Sequence, residues 1–269
     1  MHLDEIFMNR ALQLAKNGMA TAKPNPSVGA VIVYENKIIG EGYTSAFGGS
    51  HAEVNAIQSV SNISLLRNAT LYVTLEPCSH FGKTPPCADL IVKHQLKKVV
   101  IGTLDSNLLI SGKGVKRLHD AGIEVEVGIL EKECRWLLRR FFTNQEKKRP
   151  YIILKWAETK DGFIAPKTKN KKEPVWISNE ISQQWVHKLR ANENAILVGT
   201  NTVKEDNPKL SVRKWFGDNP TRIVIDRKNL LSETYSVKDG NVKSIIFLNE
   251  KVKNDKPKSN LNYEQIDFK

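Results

Sequence analysis

One imidazole, two thiols and one carboxylate fall close together in the chain: His51-Ala52-Glu53, then Pro77-Cys78 and, after eight intervening residues, Cys87. A catalytic zinc takes three nitrogen or sulfur donors from a protein and keeps its fourth tetrahedral position for water. Bound there, water ionises near neutral pH and becomes a nucleophile. His51, Cys78 and Cys87 are therefore the candidate zinc ligands. Glu53, two residues from a ligand and not needed as one, is the candidate catalytic proton carrier. It would take a proton from the attacking water, hand it to a ring nitrogen, and pass another to departing ammonia. A structural zinc site is the weaker reading, because such sites are usually closed by a fourth ligand. The remaining cysteine, Cys134, is far along the sequence and reads as a buried helix residue.

The His-x-Glu and Pro-Cys…Cys pairing is the signature of cytidine-deaminase-type enzymes, which usually space the cysteines by two residues. Here the insert is longer and carries His80, Lys83 and Pro85-Pro86. With His51-Ala52-Glu53-Val54-Asn55-Ala56, it resembles the bifunctional deaminase-reductase family of riboflavin biosynthesis. The resemblance implies that His80 and Lys83 contact substrate, as do Asp105 and Asn107. It also implies that Asn25, held between Pro24 and Pro26, hydrogen-bonds a heterocycle, where the residues alone would equally allow a plain turn. The family pattern around Asp105 is Asp-Pro-Asn-Pro; Asp105-Ser106-Asn107-Leu108 keeps both polar positions and replaces both prolines.

The elements that must position these groups follow from the hydrophobic pattern. A helix capped by Asp4 and stopped at Gly18 precedes a hairpin of residues 28–34 and 37–42 turning at Glu35-Asn36. A helix begins at His51, which puts the metal near a helix N-terminus, where the dipole favours anions. A β-branched strand over 70–75 delivers Glu76-Pro77-Cys78, and Cys87 opens the next helix. After a strand over 97–103, Gly112 and Gly114 precede a helix over 115–121, where backbone amides could approach a phosphate. A strand at 123–129 and a helix over 131–142 close this half, and the polar run 144–150 reads as a linker. Tyr151 then opens a new domain with a continuous apolar strand over 151–157, followed by a turn at Asp161-Gly162, a helix over 180–191 and strands at 195–199, 221–226 and 244–248.

That second half resembles the reductase domain of the same family, which is related to dihydrofolate reductase. The matching residues include Lys155-x-Ala157, Trp176-Ile177-Ser178, His187-x-Leu189-Arg190-Ala191, Ala195 to Gly199, Thr202-Val203, Asp206-Asn207-Pro208, Leu210-x-Val212-Arg213 and Arg222 to Asp226. The resemblance implies that Trp176, Thr202 and Asp206 contact NADPH and that Arg190, Leu210 and Arg213 contact a sugar-phosphate substrate. Two guanidinium groups suit a phosphate, which they bind bidentately. Gln183 and Asn194 depart from the family pattern. The expected fold class is α/β: a cytidine-deaminase-like three-layer α/β/α domain over 1–145, then a dihydrofolate-reductase-like α/β domain over 151–269 that is truncated at its C-terminus. The family's second half continues for roughly another hundred residues and supplies a glycine-rich NADPH-phosphate loop. The polar tail 249–269 is not expected to replace it, so these residues alone are expected to deaminate without oxidising NADPH.

Length and composition bound the rest. A chain of 269 residues exceeds the ~100–200 of one domain, and 40% hydrophobic content suits folded globules. Three cysteines, two assigned to zinc, exclude a disulfide framework and suit a reducing cytoplasm. No basic-then-apolar leader and no apolar run of spanning length occurs, so a cytoplasmic protein without membrane attachment is expected. The net charge of +12 invites nucleic acid, but runs such as Lys147-Lys148-Arg149 lack the interleaved aromatics of a stacking platform. The resemblance implies deamination of 2,5-diamino-6-(5-phosphoribosylamino)pyrimidin-4(3H)-one to 5-amino-6-(5-phosphoribosylamino)uracil, then NADPH-dependent reduction of ribosyl to ribityl. The expected partner is thus a phosphoribosyl-pyrimidine and no nucleic acid, with homo-oligomerisation left open. Its rivals are a deaminase of a base in tRNA or another nucleic acid, and a zinc-stabilised binding module without turnover.

Overall fold

Alternation along the strands decides the architecture of the first half. The computed structural model describes residues 2–81, 85–106, 111–168, 173–249 and 258–268, and the chain divides into two compact units, Met1–Ile153 and Leu154–Lys269. In the first unit, α1 (Leu3–Ala15) is followed by the hairpin β1 (Gly29–Tyr34) and β2 (Lys37–Tyr43), then α2 (Ala52–Gln58), β3 (Thr70–Val73), α3 (Cys87–Lys93), β4 (Lys98–Ile101), α4 (Lys113–Asp120), β5 (Glu124–Val127), α5 (Glu131–Leu137) and α6 (Arg139–Lys147). The sheet order is β2-β1-β3-β4-β5. The hairpin and the β1–β3 pair are antiparallel, and β3-β4-β5 are parallel. Glu35 and Asn36 both take positive φ, 48° and 59°, the conformation a two-residue hairpin turn requires.

Successive residues of these strands serve opposite faces. Ala30, Ile32, Leu71, Val73, Val99 and Ile101 pack with Ala56 and Ile57 of α2, Ile91 of α3 and Leu118 of α4. Val31, Val33, Tyr72 and Val100 face the other way, onto Phe7, Met8, Ala11 and Leu12 of α1 and Cys134 of α5. Two cores on one sheet make three layers, α/β/α. Asp4, expected as the cap of α1, instead accepts a hydrogen bond from Tyr72 Oη at 2.5 Å, and His2 occupies the N-cap. The run expected as a linker is also different: 144–147 complete α6, because Phe142 inserts into the core and carries the helix on.

The helix that carries the site lies close on β2. A Cβ added to Gly42 would stand 2.4 Å from Ala56 N and 2.5 Å from Ala52 O, so no side chain fits between strand and helix. Gly42→Ala is expected to lower stability by about 1–3 kcal/mol through overpacking, measured as a reduced denaturant midpoint of the first unit.

The second unit holds α7 (Glu180–Asn192), β6 (Ala195–Gly199), α8 (Thr200–Asp206), β7 (Thr221–Ile225), β8 (Ser244–Leu248) and β9 (Leu261–Gln265). Its four strands are all parallel, in the order β6-β7-β8-β9. Val224, Ile246, Leu248 and Leu261 gather with Val203 of α8 and with Leu210, Leu231 and Val237 into one core. Arg222 is buried beneath it, with its guanidinium donating to Ser244 Oγ, Asp239 and the carbonyls of Ser236 and Val242. Such a charge is tolerated inside because every donor direction is met.

Two sequence expectations for this unit are corrected. Residues 151–157 form no strand, and Ile152, Leu154 and Trp156 are exposed. Their composition is that of a strand, but a strand exists only with a ladder partner, and no described strand pairs with them. The tail, conversely, contributes β9. Its anchors are Leu261, buried, and Tyr263, whose hydroxyl donates to Glu233. Its signal was one short alternation inside a lysine-rich context.

Candidate active site

Three element ends deliver the candidate ligands. His51 is the N-cap of α2, Cys87 is the first residue of α3, and Cys78 sits in the loop that leaves β3. His51 Nδ1 lies 3.6 Å from Cys78 Sγ and 3.3 Å from Cys87 Sγ. The three ligand atoms lie within 4.8 Å of one another. A tetrahedral zinc with ordinary Zn–S and Zn–N lengths needs nitrogen and sulfur about 3.6 Å apart, so this donor set fits that ion.

The electrostatics of the cluster also call for a cation. The Cys78 thiol is pulled down, chiefly by hydrogen bonding with Cys87, aided by His51 and by the Cys87 N–H, which donates to Cys78 Sγ at 3.3 Å. Cys87 is pushed up, first because Cys78 holds the shared hydrogen bond and then by burial. His51 is raised by its hydrogen bond to Cys78. One thiolate forms readily and the second does not, unless a positive ion stands between them.

Glu53, in the first turn of α2, is 4% exposed. Burial, and next the Cys78 charge, push its carboxyl up to about 7. A group that holds and releases a proton near neutral pH is suited to general acid–base work. Glu53 lines a cavity of about 410 Å³ together with His51, Cys78, Asn25, His80 and Asp105. Six residues picked from well-separated parts of the sequence thus share one pocket. Lys83 and Asn107 lie outside the described residues.

The cavity also contains residues that sequence reasoning missed. Phe47-Gly48-Gly49 supply one wall and Phe141 and Gln145 another. The last two come from α6, part of which had the polarity of a linker. Glu76 lines it as well; it was noted only as a neighbour of Cys78.

In the second unit, Arg190 on α7 and Arg213 converge on one residue. Arg190 Nη1 donates to Ser211 O at 2.6 Å, and Arg213 Nη1 donates to Ser211 Oγ at 3.0 Å. Arg190 Nε is buried without a hydrogen-bond partner, and burial followed by the Arg213 charge lowers the Arg190 pKa. An orphaned guanidinium N–H beside a second guanidinium is a setting that suits an anion. Leu210 contributes its side chain to the core, at a positive φ of 53°, so only its backbone is left to offer a ligand. Thr202 and Asp206 ride on α8, whereas Trp176 is exposed in the irregular chain before α7. The cavity of the first unit holds none of these.

His187 ties this cluster together, since its Nδ1 accepts from the Arg213 backbone N–H at 3.0 Å. Burial, then the charges of Arg190, Arg213 and Lys214, depress His187 to about 4. A depressed histidine contributes stability that is present above the unfolded value of about 6.5 and is lost as pH falls toward 4. Thermal melts of the second unit between pH 7 and pH 4 are expected to fall more steeply for the unaltered chain than for His187→Gln.

Comparison with known proteins bears on both units. Residues 1–103 match the cytidine and deoxycytidylate deaminase zinc-binding region, and residues 150–269 match the RibD C-terminal domain. A crystal structure of a diaminohydroxyphosphoribosylaminopyrimidine deaminase/5-amino-6-(5-phosphoribosylamino)uracil reductase from Thermotoga maritima is 44% identical, with a TM-score of 0.88 over 97% of this chain and 74% of that one. The chain belongs to the RibD family. A crystal structure of Acinetobacter baumannii RibD is 34% identical, with a TM-score of 0.83 over 98% of this chain and 80% of that one. The RibD riboflavin biosynthesis protein of Aquifex aeolicus is 49% identical over 225 residues, which are 83% of this chain and 62% of that protein. The chain thus spans about three fifths of that curated RibD relative. The mixed sheet of the first unit and the parallel sheet of the second are the deaminase and reductase folds of RibD.

Proposed function

We propose that the first unit hydrolytically deaminates 2,5-diamino-6-(5-phosphoribosylamino)pyrimidin-4(3H)-one to 5-amino-6-(5-phosphoribosylamino)uracil, and that the second reduces the ribosyl group to ribityl with NADPH. The observation that carries the first step is the cluster of His51, Cys78 and Cys87 at a cavity lined by His51, Cys78 and the buried Glu53. Its volume of about 410 Å³ is of the size that encloses a small heterocyclic ligand.

His51, Cys78 and Cys87 would hold zinc, which when bound supplies the Lewis acidity that makes water nucleophilic at neutral pH. Glu53 does the proton work. Buried and poised near neutrality, it accepts a proton from water as the hydroxide adds to the amino-bearing carbon and passes it to the adjacent ring nitrogen; it then takes the proton of the added hydroxyl as the carbonyl forms and gives it to the amino group, which leaves as ammonia. Asn25 and His80 at the cavity orient the pyrimidine through their polar edges, and Asp105 takes a hydroxyl or amino donor of the substrate. Phe47 and Phe141 offer the pyrimidine apolar surface at the cavity.

In the second unit, Arg190 and Arg213 take the substrate phosphate. Thr202 and Asp206 lie on α8, which leaves the carboxyl end of the parallel strand β6, the side on which open α/β sheets bind nucleotides. That placement fits NADPH, with Trp176 as a further contact, and the cofactor would supply hydride. The three cysteines are all free, which supports a reducing, cytoplasmic setting. Among the described residues no helix is long and apolar enough to cross a membrane.

Zinc-dependent ammonia release from the diaminopyrimidine tests the deaminase, and a zinc-loaded chain that releases none would overturn it. NADPH consumption with the aminouracil product tests the second unit separately. The same assay decides the expectation, drawn from the sequence, that these 269 residues alone leave NADPH unoxidised.

A further inference from the structure

Glu76 lies two residues before Cys78, is 4% exposed, and borders the cavity. Its carboxylate accepts four backbone N–H groups. Oε2 takes those of Asp105 at 3.2 Å and Gly112 at 3.1 Å, and Oε1 takes those of Gly114 at 2.9 Å and Val115 at 3.4 Å. Hydrogen bonds to an ionised acceptor are roughly twice as strong as neutral ones. The amides at the start of α4, which the sequence offered to a phosphate, are therefore already occupied by the protein's own anion.

The backbone is shaped for this contact. Gly112 takes φ of 75°, the left-handed region, and a Cβ on Gly114 would stand 2.2 Å from Pro77 O. Only glycine lets the start of α4 come so close to the turn that leads into Cys78. The bonds also fall at two separated points of the chain, Asp105 at one and 112–115 at the other. One carboxylate thus ties Asp105 and the start of α4 to the segment bearing a metal ligand.

We propose that Glu76 is a positioning residue of the deaminase site, tying the backbone of Asp105 and the start of α4 to the turn that leads into Cys78 so that the Asp105 side chain is held at the cavity. The inference rests on the deaminase reading above and assigns Glu76 no contact with substrate. Gly112, Gly114 and Val115 serve the same purpose from the other side.

The test is Glu76→Gln in the full chain, with zinc content, steady-state kinetics on the diaminopyrimidine and amide hydrogen exchange measured together. The amide replacement keeps the shape but turns an NH₂ toward two N–H donors. The expected result is a KM raised about tenfold with kcat within about threefold and zinc unchanged. The amides of Asp105, Gly112, Gly114 and Val115 lose protection, while those of β1 and β3 keep theirs. In a double-mutant cycle with Asp105→Ala, the two effects on KM are expected to be non-additive, because both act through one side chain. Unchanged KM, activity falling in step with lost zinc, or additive effects would overturn the proposal. If the unaltered chain released no ammonia, the functional reading would fall by itself, and the exchange comparison would still decide whether Glu76 holds Asp105 and the start of α4.

Discussion

Glu53→Gln is expected to keep its zinc and to lose deamination by about 10²–10⁴-fold, the range that one positioned acid–base group supplies. Glutamine has the size of glutamate, so the buried space at the start of α2 stays filled and His51, Cys78 and Cys87 are untouched. What disappears is a group able to exchange a proton. The amide neither accepts one from water nor returns one to the leaving nitrogen, and burial denies bulk water as a substitute carrier. The environment that raises Glu53 to about 7 accommodates a neutral side chain, so the folded unit is expected to melt no earlier than the unaltered one. Metal content by elemental analysis and ammonia release on the same sample separate the two effects. Near-normal turnover would remove Glu53 from the mechanism.

Cys87→Ser is expected to lose both metal and turnover. Cys87 is 1% exposed and opens α3, with Sγ 3.3 Å from His51 Nδ1. A serine hydroxyl does not ionise at neutral pH and is a poor ligand in its neutral form. Its loss should exceed the ~10–100-fold weakening typical of changes around, rather than at, the ligands. Zinc per chain is the measurement, with ammonia release as its companion. Full zinc retention would reassign the third ligand, and His80, on the same cavity, would be the residue to test next.

The candidate zinc donors were legible in the sequence because a metal site restricts residue type: few other pairings of one histidine, two cysteines and a free carboxylate make chemical sense. The strands of the first unit were legible for a similar reason, since residues such as 30–33 and 71–73 must serve two faces of a sheet and are therefore hydrophobic throughout. Tyr151 to Ala157, which straddle the boundary between the two units, are apolar but for Lys155, yet form no strand, because pairing depends on a partner edge that local pattern does not encode. Leu261 to Gln265 erred in the opposite direction: a polar context hid a strand that β8 stabilises by its ladder.

The sequence by itself determined which groups could bind zinc and carry protons, and that two α/β units were present, because residue chemistry and hydrophobic period are local properties. Tertiary structure alone decided the rest of the site. Phe141 and Gln145 reach the cavity only because Phe142 anchors α6 to the sheet. Glu53 is poised near neutrality only because packing removes it from water. The amides at Gly112 and Gly114 are closed to an outside anion only because Glu76, more than thirty residues earlier, folds back to meet them. Burial and hydrogen-bond satisfaction are properties of groups distant in sequence, and they acquire values only once the sheet has brought those groups together.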